Sequence, residues 1–285
     1  MALPSATLLA QSILSGVFIG ALYGLLGLGL GLSWGLLRQI NLAHFALAFL
    51  AAYLCYQLSS AGMDPLATLV VIVPAFALAG VAMQWVFARF RVSPFNSLLV
   101  TFGLTVIVES VIQGIWTADF RKLESAYGNA KFKVGVLYVP VPELITLGAA
   151  LVLSIGIYAV LRYTDLGRAL RASAEDAPIA AAFGVNQKAQ ALALSGLCAA
   201  LAGVAGVCVA LSFTLAPSQI YAWIGVVFAT VMLGGLGRAI GPIVAGIAIG
   251  VSESITMAVT SPAWAPLVSF SLLIIVLLVR PGAQR

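Results

Sequence analysis

LLAQSILSGVFIGALYGLLGLGLGLSWGLL, residues 8–37, contains no charged side chain. A helix needs about 20 apolar residues to cross a bilayer, so this run predicts one spanning helix with an extended or bent far end. Within it Gly16, Gly20 and Gly24 recur at every fourth position, and Gly27, Gly31 and Gly35 repeat the spacing. Small residues spaced in this way let a second helix approach backbone to backbone. Glycines that merely loosen a lipid-facing helix are the alternative, and six of them in this register favour packing.

The rest of the chain has the same character. Of 285 residues 62% are hydrophobic and 8% charged, against about 25% charged in an ordinary soluble domain. So few charges do not solvate a globule of this size, which excludes a soluble protein and leaves an integral membrane protein. The net charge of +5 would point to nucleic acid on a soluble protein. Here the basic residues stand in short connections between apolar runs, so they report topology instead, and no nucleic acid is expected. The opening MALPSATLLAQ has no basic segment and no small-residue cleavage site, and reads as the entry to the first membrane helix rather than as a signal peptide. Cys55, Cys198 and Cys208 all lie inside apolar runs without metal-ligand spacing. They read as small packing residues.

Outward from the first run, apolar segments follow at about 45–58, 66–87, 97–116, 144–161, 189–211, 220–233, 243–259 and 263–279. The expected fold is therefore all-α, a polytopic transmembrane helical bundle of about eight or nine segments, with 1–285 as a single transmembrane domain. One or two segments are short enough to be re-entrant or broken. A polar, aromatic, proline-bearing loop at about 118–142 has an alternating run from Val134 to Val141 that predicts a short hairpin.

The longest polar interruption is Arg162 to Lys188, RYTDLGRALRASAEDAPIAAAFGVNQK. It reads as two short helices. Thr164 or Asp165 caps the first, which places Leu166, Ala169 and Leu170 on one stripe, with Arg171 and Glu175 spaced to pair. Asp176 caps the second, with Pro178 in its first turn and Gly184 as its stop. Such a pair either rests on lipid or docks a protein, and the alanine-rich second helix suits a groove in a protein. If this island is cytoplasmic, nine spans put the N-terminus outside and the C-terminus inside. Arg38, Arg89, Arg91, Arg162, Arg168, Arg171, Lys188, Arg238, Arg280 and Arg285 then fall inside. Arg121, Lys122, Lys131 and Lys133 fall outside, so the positive-inside rule is satisfied.

Few polar groups lie within the spans. Glu109 and Glu253 are the carboxylates deep in apolar segments, where an ionisable group normally faces protein or water. Thr101, Thr105, Glu109 and Gln113 share one helical face, and Ser252, Glu253 and Thr256 form a smaller cluster. Each set reads as helix-to-helix glue, as the polar lining of a path, or as both. Asn41 is placed to cap the helix that His44 begins. One histidine makes no metal site, and a structural hydrogen-bonding role is the plain reading. The glycines 234–241 lack the phosphate-loop pattern and no strand precedes them; Gly234, Gly235, Gly237 and Gly241 read as a sharp break that lets helices pack. No Walker motif occurs anywhere, and no cofactor is expected.

Several of these stretches carry a resemblance. LGRALRASAEDAPIAAAFGVN resembles the coupling loop of permease subunits of bacterial ABC importers for branched-chain amino acids. Gly20 to Leu30, Ile40-Asn-Leu-Ala-His44, Leu99 to Leu104 and Val231 to Pro242 are similar to further motifs of that family, in order along the chain. The chain departs from the pattern at Phe45-Ala46, where a glycine and a polar residue are usual, and at Ala51-Ala52-Tyr53. A translocation path is expected along Asn41, His44, Thr101, Thr105, Glu109, Gln113 and Glu253, the resemblance adding a conformational role for His44 near it. The resemblance implies coupling to two cytosolic ATPase subunits through Arg168, Arg171, Glu175, Asp176, Ala180, Ala181 and Gly184. A second, homologous permease subunit, a periplasmic binding protein and the bacterial inner membrane complete the expected setting. An ATP-independent channel or secondary transporter, with Glu109 as ion or proton site, and a scaffold without a path are the rival readings.

Overall fold

The computed structural model describes residues 5–128 and 130–279. In chain order it holds α1 (Ala6–Leu37), α2 (Ala43–Ser60), α3 (Leu69–Arg89), α4 (Pro94–Trp116), β1 (Lys131–Val134), β2 (Leu137–Pro140), α5 (Val141–Tyr163), α6 (Asp165–Glu175), α7 (Ala177–Ala182), α8 (Gln187–Ser212), α9 (Ile220–Gly234), α10 (Gly241–Val259) and α11 (Ala265–Val279). Among the described residues seven helices are long and apolar enough to cross a membrane. The shorter or more polar α2 and α11 bring the apolar helices to nine. Arg280 and Arg285, counted above with the island's side, lie outside the described residues, as do residues 1–4 of the opening stretch.

Local chemistry sets the helix starts. Ser5 accepts from the Leu8 amide, Ser93 from that of Asn96 and Asn186 from that of Ala189, so α1, α4 and α8 each begin on a side-chain cap. α1, α2 and α8 form the centre, with Leu22, Leu25, Leu30, Phe45, Phe49, Tyr53 and Ala202 almost wholly buried. α3, α4 and α5 lie outside them and expose apolar side chains such as Val70, Leu78, Phe95 and Val152. That is the distribution a helix has when its outer face meets lipid tails.

The glycine ladder of α1 meets α10 running the other way. A Cβ on Gly16 would stand 2.6 Å from the Val251 Cα, one on Gly24 2.6 Å from the Ile243 Cα, and one on Gly20 would enter the Gly246 carbonyl. Gly246 and Gly250 return the contact against the Gly20 and Gly16 carbonyls. A Cβ on Gly27 or Gly31 would meet Val231 and Pro242 less severely, at 3.3 to 3.8 Å. Further along, Gly35 lies on the backbone of Gly237, whose amide donates to the Gly31 carbonyl at 3.0 Å. Gly237 holds φ at 71°, where a side chain is strained, so the loop can lie flat on the helix only because it is glycine. Gly234 and Gly241 close the same break backbone on backbone.

The bundle thus has two ends. The island, the Gly35–Gly237 contact and the end of α3 share one. The other carries the loop after α4 and an antiparallel hairpin that pairs Lys131 with Pro140 and Val134 with Leu137. The hairpin lies a few residues earlier than the alternation of Val134 to Val141 predicts. Gly135, at φ 62°, makes the turn directly after Val134, so that residue ends the first strand and Val141 already opens α5. Gln11 fixes the hairpin to α1 by donating to the Tyr138 carbonyl at 2.9 Å and accepting from its amide at 3.0 Å.

α8 and α9 are joined at the hairpin end by a short extended stretch and a 3-10 turn, Pro217–Gln219. Leu215, Ala216 and Pro217 are buried there. Unpaired peptide groups in such a place cost several kcal/mol each. The loop after α4 removes part of that cost, since Arg121 and Leu215 exchange both backbone hydrogen bonds, at 2.9 and 2.6 Å.

Candidate functional site

At the island end the chain folds back on itself. Thr164 caps α6 by accepting from the Gly167 amide at 3.2 Å, and Asp176 caps α7 by accepting from that of Ile179 at 3.0 Å. Gly184 follows with φ at 85°, a conformation that ends the helix. The ion pair on α6 is Arg168 with Asp165, three residues apart. Arg171 does not pair with Glu175: its Nε donates to the Gly167 carbonyl of its own helix at 3.4 Å, and Glu175 stands at the helix end beside a cavity. Arg38 ties the island to α1, donating from Nη2 to the Ala174 carbonyl at 2.8 Å. Ser173 donates to Gln190 of α8 at 3.0 Å. Between them lies a cavity of about 480 Å³, walled in part by Leu36, Arg38, Glu175, Pro178 and Gln187.

The two faces of the pair differ. Leu170 and Ala180 are buried against the bundle, Arg168, Arg171, Ala181 and Gly184 face outward, and the exposed Glu175 and Asp176 border the cavity. Ile179 and Phe183 are also exposed, Phe183 by 86%. Both are held outward on a capped turn, and Phe183 is left largely uncovered among the described residues.

Inside the membrane the polar residues predicted to line a path fall into three groups. The first surrounds Glu109, where the Tyr221 hydroxyl donates to Oε2 at 2.6 Å and Gln113 donates to Oε1 at 3.2 Å. The second surrounds Glu253, 7% exposed, which accepts from the Tyr23 hydroxyl at 3.0 Å and from the Ser269 hydroxyl. This carboxylate thereby joins α1, α10 and α11. One turn of α9 lies between the groups: it carries Tyr221 and Trp223, and the Trp223 ring meets Tyr23 edge-on at 5.9 Å. The first turn of α9 therefore touches Glu109 directly through Tyr221, and Glu253 only by way of Tyr23.

The third group holds the connection from α1 to α2. Thr101 Oγ1 accepts from the Leu42 amide at 3.1 Å and lies 2.8 Å from the Ser97 carbonyl, while Thr105 bonds back to the Thr101 carbonyl at 2.8 Å. Both threonines are fully buried, so the upper half of the α4 stripe pins backbone, while lower down Glu109 meets Tyr221 of α9 and Gln113 bonds only to Glu109. Asn41 does not cap α2 with its side chain. Leu42 is already helical, Thr101 takes its amide, and the Asn41 backbone carbonyl receives the His44 amide at 3.3 Å. Asn41 Oδ1 and His44 Nε2 are buried without partners. The His44 ring fills the space a Cβ on Gly29 would occupy.

Asn41 and Thr101 are thus neighbours, and Glu109 and Gln113 form a second set. Glu253 stands apart, related to Glu109 only through α9 and Tyr23. Sequence reasoning missed Tyr23, Tyr221, Trp223 and Ser269. Tyrosines within apolar helices were the available signal, since a buried phenol hydroxyl needs a partner. It also missed Gly246 and Gly250, which repeat the four-residue spacing of α1.

A bundle of spanning helices with polar groups between them and a capped helix pair at one end is the architecture of a membrane permease. The chain belongs to the family described as branched-chain amino acid transport system / permease component, whose model matches residues 12–277. Among curated proteins it is similar to the high-affinity branched-chain amino acid transport system permease protein LivH of Escherichia coli K12 and of Salmonella typhimurium. Each is 28% identical over 293 aligned positions that cover 95% of this chain and 93% of the relative. It is 24% identical to BraD of Pseudomonas aeruginosa, over 95% of this chain and 94% of that protein. A probable LivH permease of Methanocaldococcus jannaschii is 27% identical over 86% of this chain and 80% of its own length. No solved structure matches the chain.

Proposed function

We propose that this multi-pass protein is the path-forming subunit of an ATP-driven importer in the bacterial inner membrane, and that it moves a small polar solute, an amino acid or related compound of the branched-chain type. The observation that carries the reading is the capped helix pair at the island end, in a chain of the permease family whose sequence holds no Walker motif. ATP hydrolysis then belongs to another polypeptide, and the pair is where that polypeptide grips. Two ATPase subunits clasp residues 162–188 from the cytoplasm, a second, homologous permease completes the path, and a periplasmic binding protein delivers the solute to the hairpin end. The N-terminus stands outside and the C-terminus inside. The whole chain acts as one transmembrane domain and performs no covalent chemistry.

The mechanism requires that ATP favour one of two helix arrangements, because a ligand shifts an equilibrium only by its differential affinity for the states. The path uses the polar groups that have somewhere to go. Glu109 and Gln113 lie at the junction with the short α9, whose tilt would make or break the Tyr221 bond. Thr101, Asn41 and His44 hold the α1–α2 connection that the same motion must respect. Glu253 locks α1, α10 and α11 into one body.

Uptake of radiolabelled leucine into proteoliposomes holding this chain and its partners tests the reading. Accumulation should require ATP on the island side. Accumulation driven by an ion gradient alone would overturn it in favour of secondary transport.

A further inference from the structure

A second cavity, of about 250 Å³, opens at the hairpin end between α1, α5, α8 and α10. Phe18, Leu22 and Met257 give it apolar walls, and Glu143, Ser212 and Ser254 give it polar ones. No Lys, Arg or His lines it. Glu143, in the first turn of α5, is half-buried and enters no ion pair among the described residues. Lys131 acts on it through space but stands outside the wall, exposed on β1. Ser212 Oγ is buried without a partner, and Ser254 is 7% exposed.

We infer that this cavity binds a primary ammonium group carried on a short apolar chain. An ammonium has three N–H donors and no acceptor, which matches a wall that holds the Glu143 carboxylate and the hydroxyl-bearing Ser212 and Ser254. The bond to a carboxylate is charge-assisted and about twice as strong as a neutral one. An anion would meet Glu143 with no compensating cation in the wall. The apolar walls cover the chain that carries the ammonium, and the volume lies below the 300 Å³ or so at which drug-sized ligands begin to fit. The inference deepens the transport reading and rests on it for placing the hairpin end outside. Nothing in the ammonium chemistry depends on ATP.

Labelling of a Ser15→Cys chain tests it, since Ser15 lines the cavity and the native cysteines are buried. The full chain is held in phosphatidylcholine nanodiscs and alkylated with N-ethylmaleimide. Isoamylamine at about twice its Kd slows labelling about threefold by mass action, whereas isovalerate leaves the rate unchanged. Glu143→Gln abolishes this protection, and Glu143→Asp, which keeps the charge, retains it. Nanodiscs containing phosphatidylethanolamine separate the sources: slower labelling without added amine identifies the lipid headgroup as the ammonium, and an unchanged rate identifies the free solute. Equal protection by amine and carboxylate, no protection by either, or full protection in Glu143→Gln overturns the inference. Protection without any ATP-driven uptake would count against the transport reading and leave the site standing.

Discussion

The Tyr221 hydroxyl stands 2.6 Å from Oε2 of Glu109, joining the first turn of α9 to the middle of α4. Through Trp223 and Tyr23 the same turn reaches the other intramembrane carboxylate, Glu253. The first turn of α9 thus has a hydrogen bond on one side and an aromatic contact on the other.

Removing that contact should be measurable. Tyr221→Phe leaves Glu109 with Gln113 alone and is expected to cost about 1 kcal/mol, the ordinary net worth of a hydrogen bond. Glu109 is only half-buried, so the larger figures for buried charges do not apply. A double-mutant cycle with Glu109→Gln, read by thermal unfolding in detergent, should show the two substitutions to be non-additive. Strict additivity would mean that the bond contributes nothing.

The α1–α10 seam tolerates no side chain at its tightest points. Gly20→Ala and Gly246→Ala should each destabilise by about 1–3 kcal/mol, as overpacking does, and lower the midpoint of unfolding. Gly103→Ala and Gly148→Ala are the controls, because a Cβ there meets nothing within 4 Å. Equal midpoints for seam and control variants would remove the backbone-to-backbone contact from the account.

Asp64, in the loop after α2, is tied to Tyr127 of the long loop by a hydrogen bond of 2.9 Å. That bond, helped by the Leu66 and Ala67 amides, holds the Asp64 carboxyl below the usual carboxylate range, and raises the Tyr127 phenol. A depressed acid contributes stability above its unfolded value, about 3.9, and loses it as pH falls through the folded value. A raised phenol contributes below its unfolded value, about 10, and loses it as pH rises through the folded value. The loop contact should therefore be complete between these limits and weaken outside both. Proteolysis of the 117–130 loop, followed against pH, should accelerate at either extreme in the wild type. Tyr127→Phe should make the acid limb disappear.

Much of the architecture was legible because its causes are local. Uncharged runs of 18 or more residues, the caps Thr164 and Asp176, and the stop at Gly184 all act within a few residues of where they stand. Partners were not legible. Arg171 and Glu175 have the spacing to pair, yet Arg171 turns to the Gly167 carbonyl while Asp165 takes Arg168. Ala180 and Ala181 are adjacent and alike, but one is buried and the other exposed. The Tyr221–Glu109 bond joins residues 112 positions apart, a distance no periodicity spans. The cavity at the hairpin end is assembled from four helices and leaves no signature in any one of them.

The central claim is that the outward face of α6 and α7 is the grip of a separate ATPase. Co-purification of that ATPase with the tagged permease tests it most directly. Phe183→Asp, at a site 86% exposed, together with charge reversal at Arg168 and Arg171, should leave the permease in the membrane and reduce the recovered ATPase at least about tenfold, which corresponds to 1.4 kcal/mol of binding. Ala181→Trp on the same face should act in the same direction. Undiminished recovery of the ATPase with all of these variants would contradict the account.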